Sequence, residues 1–305
     1  MEVRVLAAVY GPGDPPTTFA MLDADGELVD FLQCPNIAVR SRPGGGGAAV
    51  ARQQADLDRL LKFMIEHRPH VCVVAASSGA GLNCRILREA VSMVVGRIVE
   101  DHARAIPEEV DTIKVQLADD TVPALAANCA AMRGEFHEHS NEVRHAVALG
   151  RYLRNPPAVM AALVSGGEAR ALTLSSLQEG LSDEDKLTVF DRGLIDVINQ
   201  VGVNVNAAVA HPWQQHLLNH VAGLGPRKAG ALVSAVRGGD GGELESRAQL
   251  VNELGVLGGC VFRNAAVALR VVDDEVLDNT RIHPDNYVQV LEVVANALDY
   301  DFDQL

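Results

Sequence analysis

The chain has 305 residues, of which 48% are apolar and 22% charged, the balance of a folded chain and not of a disordered one. Forty acidic against 26 basic residues leave a formal charge of −14, so any nucleic-acid contact has to be local on a surface that otherwise repels phosphate. No apolar run approaches the roughly 20 residues of a membrane span, no secretory leader is expected, and the five cysteines (Cys34, Cys72, Cys84, Cys129, Cys260) form no C-x-x-C pair. Disulfide frameworks and zinc sites are therefore not expected, and a reducing compartment fits.

At roughly 100–200 residues per domain, the length points to two compact units or three small ones. Residues 3–10 are apolar and β-branched enough for a strand, which ends at Gly11-Pro12-Gly13. A hairpin follows: strands over 17–22 and 27–32 joined by Asp23-Ala24-Asp25-Gly26. After a loop over 40–47, apolar residues recur at helical spacing from 48 to 67, and Pro69 closes the helix. Residues 71–76 read as a strand buried on both faces, 82–104 as a helix, 113–117 as a fifth strand and 122–132 as another helix.

Three antiparallel strands followed by strand-helix units are the ribonuclease H arrangement, and that fold allows a catalytic test. Its nucleases hold two metal ions about 4 Å apart, with acids from the first strand, the fourth strand and a late helix or loop. Here the first strand carries no acid, Asp14 lies beyond the glycines, and the fourth strand ends in Ala75-Ala76-Ser77-Ser78. Only Asp119 and Asp120 stand where a ligand belongs, and an N-cap for the next helix explains them more simply. The pocket reads as catalytically dead, with no metal or cofactor.

From 135 to about 169 the chain is helical, a packing connector with Val143, Val147, Leu149 and Leu153 on one face, and Pro156-Pro157 starts a second helix. Ser182-Asp183-Glu184-Asp185 opens a further helix with an acidic first turn, its buried side formed by Leu187, Phe190, Leu194, Ile195 and Ile198. Then comes the informative stretch. An apolar helix runs into Gly223-Leu224-Gly225, and Pro226 starts a second one. In this helix-hairpin-helix the glycines let the backbone turn with its N–H groups exposed, and Leu224 plugs the core. Free amides at a helix start attract a phosphate oxygen, and Arg227 and Lys228 add charge without reading any base. The plain alternative is a structural turn. Between 201 and 270 six Arg or Lys face four Asp or Glu, a local +2 that leaves −16 for the rest. A second, weaker hairpin at Leu257-Gly258-Gly259-Cys260-Val261-Phe262-Arg263 adds Gly258 and Arg263 as candidate contacts; it reads equally as a simple helical turn.

Other suggestive residues carry less. His216 and His220 are four apart but lack the following Glu and a third ligand, so they read as core or surface histidines. His137 and His139 read as exposed, and Cys72 as a small core residue. The glycine runs at 44–47 and 238–242 lack the Lys-Ser/Thr of a phosphate loop. The stretch 271–305 has nine acids and one Arg, a solvated surface or a face for basic tails.

Taken in order, Val201-Gly202-Val203-Asn204-Val205-Asn206, His211-Pro212, Val221-Ala222-Gly223-Leu224-Gly225-Pro226-Arg227-Lys228, Leu244-Glu245-Ser246-Arg247-Ala248-Gln249-Leu250, Val261-Phe262-Arg263-Asn264-Ala265-Ala266 and Arg281-Ile282-His283-Pro284 resemble the core of the suppressor of Ty six family. These are eukaryotic transcription elongation factors and histone chaperones, related to bacterial Tex. The resemblance covers nearly the whole chain. It implies a YqgF-like ribonuclease H domain over 1–134 in which loss of catalytic acids is usual, a helical connector over 135–204, tandem helix-hairpin-helix over 205–272, and the start of a death-like helical domain over 273–305. It also implies a fragment of a much longer nuclear protein. The expected partners are DNA or RNA backbone, bound weakly and without sequence preference, histones or nucleosomes, and the RNA polymerase II elongation complex. No membrane and no enzymatic activity are expected; the alternative is a metal-dependent nuclease or resolvase. Where relatives carry Gly-Pro-Lys in the second hairpin, this chain has Gly258-Gly259-Cys260.

Overall fold

The computed structural model describes residues 3–38, 47–76, 81–108, 110–272 and 276–298. The chain divides into two compact units, Met1–Val159 with Ala171–Leu174, and Met160–Arg170 with Ser175–Leu305.

The first unit is built on a five-stranded sheet of order β3-β2-β1-β4-β5, from β1 (Val5–Val9), β2 (Thr17–Leu22), β3 (Leu28–Cys34), β4 (Val71–Ala75) and β5 (Lys114–Ala118). β1 pairs antiparallel with β2, Val5 opposite Leu22, and parallel with β4, Val5 beside Val71; β5 extends the parallel side. This is the mixed sheet expected from the sequence. All five residues of β1 are buried, because helices cover both faces. On one face, Leu6, Ala8, Phe19 and Met21 pack with Leu60 and Met64 of α1 (Gly47–His67) and with Leu87, Val91 and Ile98 of α2 (Gly81–Asp101). The expected helix over 122–132 is two short ones, α3 (Thr121–Ala126) and α4 (Ala130–Glu135), with the Cys129 thiol accepting from the Met132 amide at the second start.

The first unit runs past residue 134 through α5 (Asn141–Arg154), which packs on β1 and β2. Val143, Val147 and Leu149 form its buried side, whereas Leu153 is exposed. Arg151 anchors it. Its guanidinium donates to the carbonyl of Gly26 in the β2–β3 turn (2.9 Å) and to Glu135 and Glu27. The connector thus completes the sheet's second face. α6 (Pro156–Gly166) follows.

The second unit takes in the end of α6 and then α7 (Asp183–Val201), started by the Ser182 hydroxyl, which accepts from the Asp185 amide. Only Leu194 and Ile198 of its expected apolar side are fully buried. Next come β6 (Val203–Asn204), α8 (Val205–Ala210), a 3-10 helix Pro212–His220, α9 (Gly225–Gly238), α10 (Gln249–Asn252), α11 (Gly259–Ala265), β7 (Leu269–Arg270) and α12 (Tyr287–Leu298). β6 and β7 pair parallel, Val203 beside Leu269, and so fasten the two ends of the hairpin region together. The glycine run at 238–242 ends α9 and forms a short 3-10 turn. Residues 44–46, Ser77-Ser78 and the end of the acidic tail lie outside the described residues.

Candidate nucleic-acid interface

The first hairpin is assembled from its turn outward. The element before the turn is a nine-residue 3-10 helix and not the α-helix expected; Pro212 starts it, and Trp213, Leu217, Leu218 and His220 bury its inner side. Leu224 donates its amide to the Val221 carbonyl (3.0 Å) and buries its side chain, as the plug role requires. Gly223 and Gly225 have φ of +87° and +70°, in the left-handed region where a Cβ is costly. A Cβ on Gly223 would also lie 3.6 Å from the Cβ of Asn264 and 3.7 Å from the Val261 carbonyl, so the turn rests directly on α11. Space around Gly225 is open.

With Leu224 as the residue before α9 and Pro226 lacking an N–H, the Gly225 and Arg227 amides are donors with no carbonyl inside the helix to receive them. Among the described residues no hydrogen bond is donated by the exposed Gly223 amide. Arg227 is exposed, and it forms no hydrogen bond or ion pair with a described residue. Lys228 is placed differently from expectation: its ammonium donates to the Gly223 carbonyl at 2.7 Å, tying the turn from the far side while holding its charge beside it. The arrangement is a cluster of amide donors with two cations, suited to an oxyanion.

The second hairpin is also a helix-turn-helix, with a different pivot. Gly255 takes the left-handed φ of +57°, while Gly258 is extended (φ −71°) and precedes α11. The amides of Val256 and Leu257 close the turn on the Leu250 carbonyl. Gly258 is exposed, but α11 has only seven residues. Arg263 is exposed and lies 3.8 Å from the Asp285 carboxylate, which offsets its charge.

His220 is buried with its Nε2 3.3 Å from Asp191. Burial holds His216 below the ordinary histidine value, with the neighbouring His220 adding to that and Glu168 opposing it. In the first unit, Asp119 accepts from the Thr121 amide at 2.7 Å; hydrogen bonding with the Thr121 side chain, and then with that amide, holds its carboxyl below the usual value. Asp120 is the backbone N-cap of α3 but its side chain makes no cap bond; it is buried 3.5 Å from His145. The two aspartates thus serve different partners. Among the described residues, no three His, Cys, Asp or Glu groups converge to hold a metal ion.

Two groups of functional interest escaped sequence reasoning. Asn199 on α7 binds backbone on both sides of Val221. Arg247, visible only as part of the Glu-Ser-Arg motif, is a buried anchor: its guanidinium donates to the carbonyls of Ile282 and Thr280 and to the Tyr287 hydroxyl, beside Asp278. A long-range bond of a polar side chain to backbone leaves no periodic trace in a sequence.

Comparisons with known proteins agree with this architecture. A family model described as the Holliday-junction resolvase-like domain of SPT6 matches residues 1–164, and a helix-hairpin-helix model matches 167–272. The chain is 36% identical to an Arabidopsis thaliana transcription elongation factor SPT6 homolog, over 98% of this chain and 18% of that protein. It is 35% identical to the SPT6-like elongation factor of the same plant, over 98% and 23%. Against Drosophila melanogaster transcription elongation factor SPT6 the identity is 27%, over 98% and 16%. The chain spans about a fifth of the length of these relatives.

Proposed function

The chain belongs to the SPT6 family, and on that premise we propose that it is a non-catalytic module of a nuclear transcription elongation factor that meets nucleic-acid backbone instead of cutting it. The observation that carries this reading is the turn Gly223-Leu224-Gly225: left-handed glycines, amide donors at the start of α9, and Arg227 standing exposed beside them. Such a seat binds a phosphate oxygen and no base, so binding is independent of sequence and weak at physiological salt. No described helix is long and apolar enough to cross a membrane.

Support for the absence of hydrolysis comes from the residues in the older pocket. β1 is apolar throughout, Asp119 is committed to the Thr121 amide, and Asp120 is buried against His145. Histones, nucleosomes and the polymerase elongation complex are the protein partners the family membership suggests for the larger assembly.

Titrating a labelled duplex at several salt concentrations tests the reading. Arg227→Gln lowers affinity and reduces the slope of log K against log[salt] by about one, the value for one lost phosphate contact. Equal slopes for the two proteins refute the assignment. Cleavage of a junction or hybrid in Mg²⁺ or Mn²⁺ that Asp119→Asn abolishes establishes the nuclease reading instead.

A further inference from the structure

We infer that Asn199 of α7 is a positioning residue that locks the Gly223–Gly225 turn into its anion-binding shape. The inference rests on the phosphate-seat reading and adds to it the element that sets the seat.

A 3-10 helix has poor hydrogen-bond geometry and rarely exceeds three or four residues. The one leading into the turn runs for nine, and its last carbonyls have no partner ahead of them within the helix. α7 supplies one from outside. The Asn199 Nδ2 donates to the His220 carbonyl at 3.0 Å, and its Oδ1 accepts from the Ala222 amide at 2.9 Å. One side chain therefore grips the backbone immediately before Gly223. The second Nδ2 hydrogen goes to the Ile195 carbonyl at 2.6 Å, which fixes the amide's orientation, since a flip would set Oδ1 against two carbonyls. Among side chains of this length, only an amide offers a donor and an acceptor side by side in this way.

The hold has two supports. Asp191, two turns earlier on α7, lies 3.3 Å from the ring of His220, and Asn219 donates to the Ser165 hydroxyl at 3.1 Å. On the far side Lys228 bonds the Gly223 carbonyl, and α11 lies beneath Gly223. The turn is thus held upstream, downstream and below, with its amide face open. Asn199 belongs to neither the glycine turn nor its cations, so it acts only through preorganisation, raising affinity by keeping the competent turn populated.

The experiment compares wild type, Asn199→Ala, Asn199→Asp and Arg227→Gln. Asn199→Asp keeps an acceptor for the Ala222 amide but loses both donors. Each protein is checked by denaturation followed through Trp213, the chain's single tryptophan, which lies in the 3-10 helix. Binding of a labelled duplex is then measured across salt, and exchange of the Ala222 amide is followed by NMR. Asn199→Ala is expected to weaken binding about five- to tenfold with an unchanged salt slope, because no cation is lost, and to speed Ala222 exchange. Asn199→Asp is expected to bind more weakly still, because one carboxylate oxygen then faces the His220 and Ile195 carbonyls and the added negative charge repels the oxyanion. Wild-type affinity in both Asn199 variants, with Arg227→Gln still impaired, overturns the inference and leaves the phosphate seat standing. Equal binding by wild type and Arg227→Gln overturns both. Fast exchange of Ala222 in the wild-type protein overturns the inference without any variant.

Discussion

Replacing Arg247 with Met keeps a buried stem of similar size and deletes the guanidinium. Arg247 is 1% exposed, and its partner Asp278 is buried at 3%. The deletion leaves the carbonyls of Ile282 and Thr280 without that donor. Asp278 keeps the Tyr287 hydroxyl and the Arg247 amide but loses the cation beside it. Burial, with the Asp278 hydrogen bond adding to it, raises the Tyr287 pKa, so the phenol remains a donor through neutral and mildly alkaline pH. Breaking one side of a buried pair costs about 3–5 kcal/mol, and neither partner can reach water to soften it. For a unit of this size that corresponds to a drop of roughly 6–20 °C in melting temperature. Denaturation followed through Trp213 measures it. The equivalent change at Arg151 is the control: Glu27 and Glu135 have side chains 36% and 32% exposed and rehydrate when released, so the first unit should lose less, about 2 kcal/mol by calorimetry. A loss below about 1 kcal/mol for Arg247→Met refutes the reasoning and means that the 276–298 segment does not pack on Arg247 in solution.

Two further outcomes follow from burial. Burial holds His145 below the ordinary value of 6.5, with Asp120 and Glu142 opposing, so the folded chain binds its proton less readily than the unfolded one. Stability is therefore retained above that value and declines as pH falls below it; melting curves between pH 7.5 and 5.5 should flatten in His145→Gln, and an unaltered decline assigns the dependence elsewhere. Cys34 and Cys72 are pushed to about 12 by burial, and Cys84 and Cys129 are buried, whereas Cys260 is exposed. A thiol reagent at pH 8 should modify one cysteine per folded chain, Cys260, and fast labelling of Cys72 contradicts the packed sheet.

The sheet was legible because its information is local. Residues 3–10 and 71–76 are continuous apolar runs, the Asp23–Gly26 turn names its own hairpin, and the order of strands and helices fixes the family of folds. The glycine turn was legible for the same reason, since left-handed backbone leaves a direct mark in residue type. What stayed hidden depends on distant partners. α5 showed an apolar face, but only the structure supplies β1 and β2 beneath it and Gly26 for Arg151. Charge alone paired Lys228 with Arg227 and added Arg263 from the weaker second hairpin. In the structure Lys228 is bonded to the Gly223 carbonyl and Arg263 sits beside Asp285, 22 positions away. Asn199 and Arg247 act on backbone 21 and 35 residues away, beyond any spacing rule.

The most direct measurement is an NMR titration of the chain with a short duplex at low salt, following backbone amides. Donation to a phosphate oxygen predicts that the Gly223, Gly225 and Arg227 resonances shift first and furthest, saturating together and returning when salt is raised. Shifts concentrated elsewhere, with these three unmoved at saturation, contradict the account.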